Sequence, residues 1–111
     1  MMAMNAEAFG RYTEGDQPVL VEFWAPWCVY CRRIGPALSK VAEAYGDALV
    51  VGQVNIDEEP DLAGREQIEV VPTLILYRRG ETLGSAVAPE SRAQIEEFIR
   101  EALGGGRDED L

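Results

Sequence analysis

The sequence has no histidine, only two cysteines, a single lysine at Lys40, and no apolar run near the roughly 20 residues that span a bilayer as a helix. Each shortage removes a class of function. Without histidine, the side chain most used as general base and metal ligand is missing. A zinc site takes about four ligands, most often Cys and His. Cys28 and Cys31 of one chain do not complete such a site, although a metal shared between two chains stays open. Secreted scaffolds held by disulfides usually carry more cysteines in a shorter chain. Basic residues number 10 against 20 acidic ones, a net charge of −10. That sign disfavours nucleic acid and anionic membrane surfaces. It favours a partner with a basic docking face, or serves solubility alone. Met1 to Phe9 lacks a basic stretch followed by an apolar one, so no signal peptide is expected. The cytoplasm is then the expected compartment, where a lone cysteine pair is more often catalytic than structural.

What is present is enough for one domain: 111 residues, 47% of them hydrophobic. Phe9 and Tyr12 lie at helical spacing in Met4 to Glu14. Val19 to Trp24 is a bounded β-branched and aromatic run, the pattern of a buried strand. From Cys28 to Tyr45 the apolar spacing turns helical through Ile34, Leu38, Val41 and Tyr45, with Gly46 as the stop and Pro36 as an expected kink. Leu49 to Ile56 reads as a second strand. Pro60 suits the first turn of a short helix reaching about Gln67. Thr73 to Tyr77 and Thr82 to Val87 form a hairpin about Arg79-Gly80. Ser91 to Gln94 is a capping box that opens a helix striped by Ile95, Phe98, Ile99 and Leu103. The three glycines from Gly104 should close that helix, leaving a domain over 1–104 and a flexible acidic tail over 105–111. The βαβ opening favours parallel strands, and the hairpin adds antiparallel ones. The expected fold class is α/β, a central mixed sheet flanked by helices on both faces.

Cys28 and Cys31 stand three apart between a strand and a helix. On a helix, positions i and i+3 share a face, so the sulfurs can approach bonding distance. The first cysteine falls at the helix N-terminus, where free N–H groups and the helix dipole stabilise a thiolate, the reactive form. Cys28 is therefore expected to be the more acidic and more exposed nucleophile. Cys31, one turn in, would be shielded and would resolve a mixed disulfide. The spacing alone also suits half a zinc site or a static disulfide. Beside a βαβ pattern it is the sequence rule for a redox motif.

Val19 to Cys31, Gly35-Pro36, Val54 to Asp57, Val71 to Leu74 and Arg79 to Glu81 resemble, in order, the motifs of the thioredoxin family. The resemblance covers the chain from about Phe9 to Leu103. It implies the thioredoxin fold and reduction of protein disulfides by a monomer with no cofactor, its electrons supplied by a thioredoxin reductase. It gives Cys28 and Cys31 the roles of nucleophile and resolving thiol. Pro72 takes the place of the family's cis-proline beside the disulfide. Val71 would offer its backbone to an extended substrate, and Trp27 is the aromatic beside the nucleophile. Glu22 stands where the family has a buried acid, usually aspartate. A carboxyl inside an apolar strand should be desolvated and hold its proton more tightly, which suits exchange with Cys31.

Four departures accompany the resemblance. Val29-Tyr30 separates the cysteines in place of Gly-Pro, which suggests a less reducing pair. Gln53 stands where lysine is common, so Glu22 loses help in staying ionised. Ala88-Pro89 replaces a glycine near the docking groove. The N-terminus is short, so the first edge strand should be a stub or missing. Two other readings stand beside the reductase: a binding or chaperone module with a static disulfide, and an oxidase or isomerase running the same chemistry in reverse.

Overall fold

The computed structural model describes residues 1–108. Its strands are β1 (Met2–Ala3), β2 (Val19–Trp24), β3 (Val50–Asn55), β4 (Thr73–Arg78) and β5 (Glu81–Val87). Its helices are α1 (Ala6–Thr13), α2 (Val29–Tyr45), α3 (Pro60–Arg65) and α4 (Arg92–Asp108), with a short 3-10 turn at Gly46–Ala48. The sheet order is β1-β3-β2-β4-β5. β1, β3 and β2 run parallel, whereas β4 pairs antiparallel with β2 and β5 antiparallel with β4. The first edge strand is a two-residue stub.

β2 is central and covered on both faces, which is why it reads as a continuous apolar run rather than an alternating one. Val19, Val21 and Phe23 pack with Phe9 of α1 and Leu62 of α3. Leu20 packs with Leu38 and Val41 of α2 and with Ile95 and Ile99 of α4. Side chains two apart on a strand share a face, so Glu22 lies on the α2/α4 side with Leu20. α2 runs unbroken with Pro36 inside it.

Local chemistry sets the connections. Asn5 Oδ1 accepts the Ala8 N–H and caps α1. Ser91 Oγ accepts the Gln94 N–H at 3.1 Å, while Gln94 Oε1 accepts the Glu90 N–H at 2.7 Å, one residue before the expected reciprocal bond. Arg79 and Gly80 have φ of 54° and 76°. Two positive values in a two-residue loop match the twist of the strands they join. Gly84 lets α4 approach β5: a Cβ there would lie 3.2 Å from Phe98 Cε1 and 3.3 Å from Ala102 Cβ.

One boundary differs from expectation. α4 continues to Asp108, past the glycines from Gly104 where its end was expected. Glycine lowers helix propensity by about 1 kcal/mol per residue without forbidding helical dihedrals, so it marks a stop only weakly. The last three residues of the expected tail lie outside the described residues.

Candidate functional site

β2 ends at Trp24 and α2 begins at Val29, so the chain between them turns over the C-terminal edge of the sheet. Cys28 is the N-cap of α2, with extended dihedrals, and its Sγ accepts the Cys31 N–H at 3.1 Å. A side-chain acceptor at this place satisfies one of the helix's free donors. Here that acceptor is the sulfur itself. The two cysteines are joined as a disulfide with Cα atoms 5.3 Å apart.

The expected contrast in exposure is not found. Cys28 is 6% exposed and Cys31 5%. The pair packs with Ala25 and is bordered by Trp24, Tyr30, Ile56 and Val71. The two sulfurs differ in that Cys28 Sγ receives the N-cap bond and lies beside the Val71 carbonyl.

The Val71–Pro72 peptide is cis. Its loop is held from two sides: the Thr73 hydroxyl donates to the Val70 carbonyl, and the Ala88 N–H donates to the Pro72 carbonyl at 2.8 Å. This brings the Val71 carbonyl oxygen to 3.7 Å from Cys28 Sγ. Ala88 holds its bond with φ of +48°, a left-handed conformation that costs an L-residue about 1–2 kcal/mol.

Trp27 is 64% exposed, and its Nε1–H donates to Asp57 Oδ1 at 3.3 Å. Asp57 was not singled out from the sequence. The signal lay in strand register: Trp24 pairs with Asn55, so the segments that follow β2 and β3 leave the sheet side by side. Val29, Val70 and Val87 are also exposed, adding apolar surface around the loops that carry the disulfide.

Glu22 is 1% exposed. It pairs across the sheet with Gln53 on β3 and Leu74 on β4. Gln53 Nε2 donates to Glu22 Oε1 at 2.9 Å, while Oε2 is buried with no partner among the described residues. Burial pushes the Glu22 carboxyl above its ordinary range, and the Gln53 hydrogen bond opposes this only in part. The buried stripe of α2 is Cys31, Ile34, Leu38 and Val41. Leu38 and Val41 pack on the face of the sheet that carries Leu20 and Glu22. Cys31 and Glu22 thus belong to the same layer, near the end of β2.

The sequence-derived residues Cys28, Cys31, Val71 and Pro72 therefore converge, Trp27 precedes them in the chain, and Glu22 lies on β2 on the face of the sheet that α2 covers. Among the described residues, no three His, Cys, Asp or Glu side chains are gathered where they could hold a metal ion. No described helix is long and apolar enough to cross a membrane.

Known proteins share the sequence pattern and the fold. The thioredoxin family profile matches residues 1–101. A thioredoxin of Alicyclobacillus acidocaldarius subsp. acidocaldarius is 35% identical over 102 residues, covering 92% of this chain and 97% of its own. A thioredoxin of Acidithiobacillus ferridurans is 39% identical over 90 residues, covering 81% and 83%. The crystal structure of Malassezia sympodialis thioredoxin (Mala s 13) superposes with a TM-score of 0.83 at 27% identity, over 91% of each chain. With a CxxC pair at disulfide distance at the mouth of a five-stranded mixed sheet, the chain belongs to the thioredoxin family of protein dithiol–disulfide oxidoreductases.

Proposed function

We propose that this protein reduces protein disulfides, with Cys28 as the nucleophile and Cys31 as the resolving thiol. The observation that carries the assignment is the N-cap bond from the Cys31 N–H to Cys28 Sγ at 3.1 Å. A donor and a helix N-terminus both favour negative charge on that sulfur. The Cys28 thiolate attacks one sulfur of a substrate disulfide, and the other substrate sulfur leaves as a thiol. Cys31 gives up its proton and attacks Cys28 Sγ. The substrate then leaves with its second sulfur reduced, and the protein holds the Cys28–Cys31 disulfide. Two electrons from a thioredoxin reductase restore the dithiol. Glu22 exchanges the proton with Cys31, a role supported by its burial and raised affinity for protons. Trp27, Val71 and Pro72 receive the substrate, an extended segment laid along the Val71 backbone.

The reading extends to a monomeric domain over 1–104 with a short tail, acting in the cytoplasm with no cofactor, its net charge of −10 favouring partners with a basic docking face. Val29-Tyr30 between the cysteines suggests a less reducing pair than a Gly-Pro pair. Equilibration with glutathione measures that directly, and a potential as low as the Gly-Pro type would reject it.

Insulin reduction driven by dithiothreitol tests the reading. The wild-type protein should accelerate it, Cys28→Ser should abolish the acceleration, and reduced Cys31→Ser mixed with insulin after dithiothreitol is removed should accumulate a mixed disulfide at Cys28 visible by intact mass. A rate no higher than dithiothreitol alone would instead indicate a binding module with a static disulfide. Retained activity in Cys28→Ser would overturn the assignment of the nucleophile.

A further inference from the structure

Glu22 has two carboxyl oxygens with unlike surroundings. Oε1 accepts from Gln53 Nε2 at 2.9 Å, whereas Oε2 is buried with no partner among the described residues. A proton on Oε1 would set an O–H against an N–H, two donors facing each other. The proton of the neutral acid therefore belongs on Oε2. The donor is also an amide, which orients a carboxyl without placing a positive charge beside it. A cation at the same distance would favour the ionised carboxylate.

The surroundings leave this to Gln53. Leu74 is the partner on β4. Leu38 and Val41 of α2 and Ile95 and Ile99 of α4 cover this face of the sheet, and none carries charge. Lys40 of α2 is exposed. Burial raises the proton affinity of Glu22 and the Gln53 bond lowers it, and in the reduced protein the Cys31 thiol on the buried stripe of α2 is the titratable group of that helix on this face. Gln53 itself is only half-buried and is fixed opposite Glu22 by parallel register.

We propose that Gln53 is a positioning residue for the Cys31 step: its Nε2 holds the Glu22 carboxyl in one orientation and reserves Oε2 as the oxygen that exchanges the proton. The proposal rests on the reading that Glu22 serves Cys31, and the test separates the two. Reduced protein reacts with an aromatic disulfide reagent, Ellman's reagent, to release one thionitrobenzoate and leave a second on Cys28. Cys31 then attacks Cys28 Sγ and expels the second, a release followed by absorbance in stopped flow. Its rate is measured between about pH 6 and about pH 9, around the range where raised carboxyls and thiols titrate.

Gln53→Met keeps the size of the side chain and removes the donor, so the midpoint of the pH profile should move up by about one unit. Gln53→Lys supplies a charged donor and should move it down by at least about one unit. In a Glu22→Gln background neither change should move the profile. Shifts in the same direction for Met and Lys, or shifts that persist without Glu22, would overturn the proposal, because a merely structural role has no such sign. If Glu22→Gln alters the profile and neither Gln53 variant does, the Glu22 reading stands and the Gln53 proposal falls. If Glu22→Gln also leaves it unchanged, both fall. Melting of each variant checks its folding, and either Gln53 variant alone is enough to decide the proposal.

Discussion

Replacing Glu22 by leucine should make the protein more stable and a poorer catalyst, and the gain should grow with pH. Glu22 is 1% exposed, with Oε2 buried and unpartnered among the described residues. A buried polar atom without a partner costs about 1–3 kcal/mol. Leucine removes that cost, is of similar size, and joins the apolar layer formed by Leu20, Leu74 and Leu38. The loss is the bond from Gln53, about 1 kcal/mol, and the half-buried amide can turn to water instead. The net gain near pH 5 is about 1 kcal/mol, or about 4 °C in Tm for a domain of this size.

The pH dependence has a definite sign. Burial lifts the folded carboxyl above its ordinary 4.5, so the folded protein binds a proton that the unfolded chain releases. Stability from this group is complete below the unfolded value and is lost as pH rises through the folded one. Each unit of lift corresponds to about 1.4 kcal/mol in the wild-type protein, a loss Glu22→Leu does not suffer. Urea unfolding of the oxidised proteins at about pH 5 and about pH 8 measures both quantities, with unchanged m-values as the check on two-state behaviour. A Glu22→Leu variant no more stable than wild type at the higher pH, or a gain that shrinks between the two, would refute the reasoning.

Two further substitutions probe packing and backbone. Gly84→Val places a Cβ within 3.2 Å of Phe98 Cε1 and 3.3 Å of Ala102 Cβ, so α4 must move or the side chains must rotate. A loss of about 1–3 kcal/mol is expected in denaturant melts, and an unchanged midpoint would show that α4 gives way freely. Ala88→Gly relieves a left-handed alanine at φ +48°, and after glycine's greater unfolded-state entropy a gain of about 0.5–1 kcal/mol should remain. A drop in Tm in calorimetry would contradict that account.

Most of the fold was legible because its elements are locally marked. β2 is a bounded apolar run, α2 carries a helical stripe, Ser91 caps its helix, and the Arg79-Gly80 turn demands positive φ. The end of α4 was misplaced because glycine is a weak stop signal. The cysteine spacing and its strand-to-helix setting placed the redox pair, and register through Glu22↔Gln53 then explained how a carboxyl survives in the core.

The sequence by itself determined the redox pair, the strand that carries Glu22 and the order of elements, since each depends on residues near one another in the chain. The tertiary structure alone decided three things. It brought the Val71 carbonyl to Cys28, over 43 residues of separation. It joined Trp27 to Asp57 and Glu22 to Gln53 across the β2–β3 edge. It also buried both sulfurs almost equally, where local reasoning expected one to be open. Exposure and long-range pairing depend on what the rest of the chain packs against a residue. That is settled only when the sheet, its register and its helical layers close together.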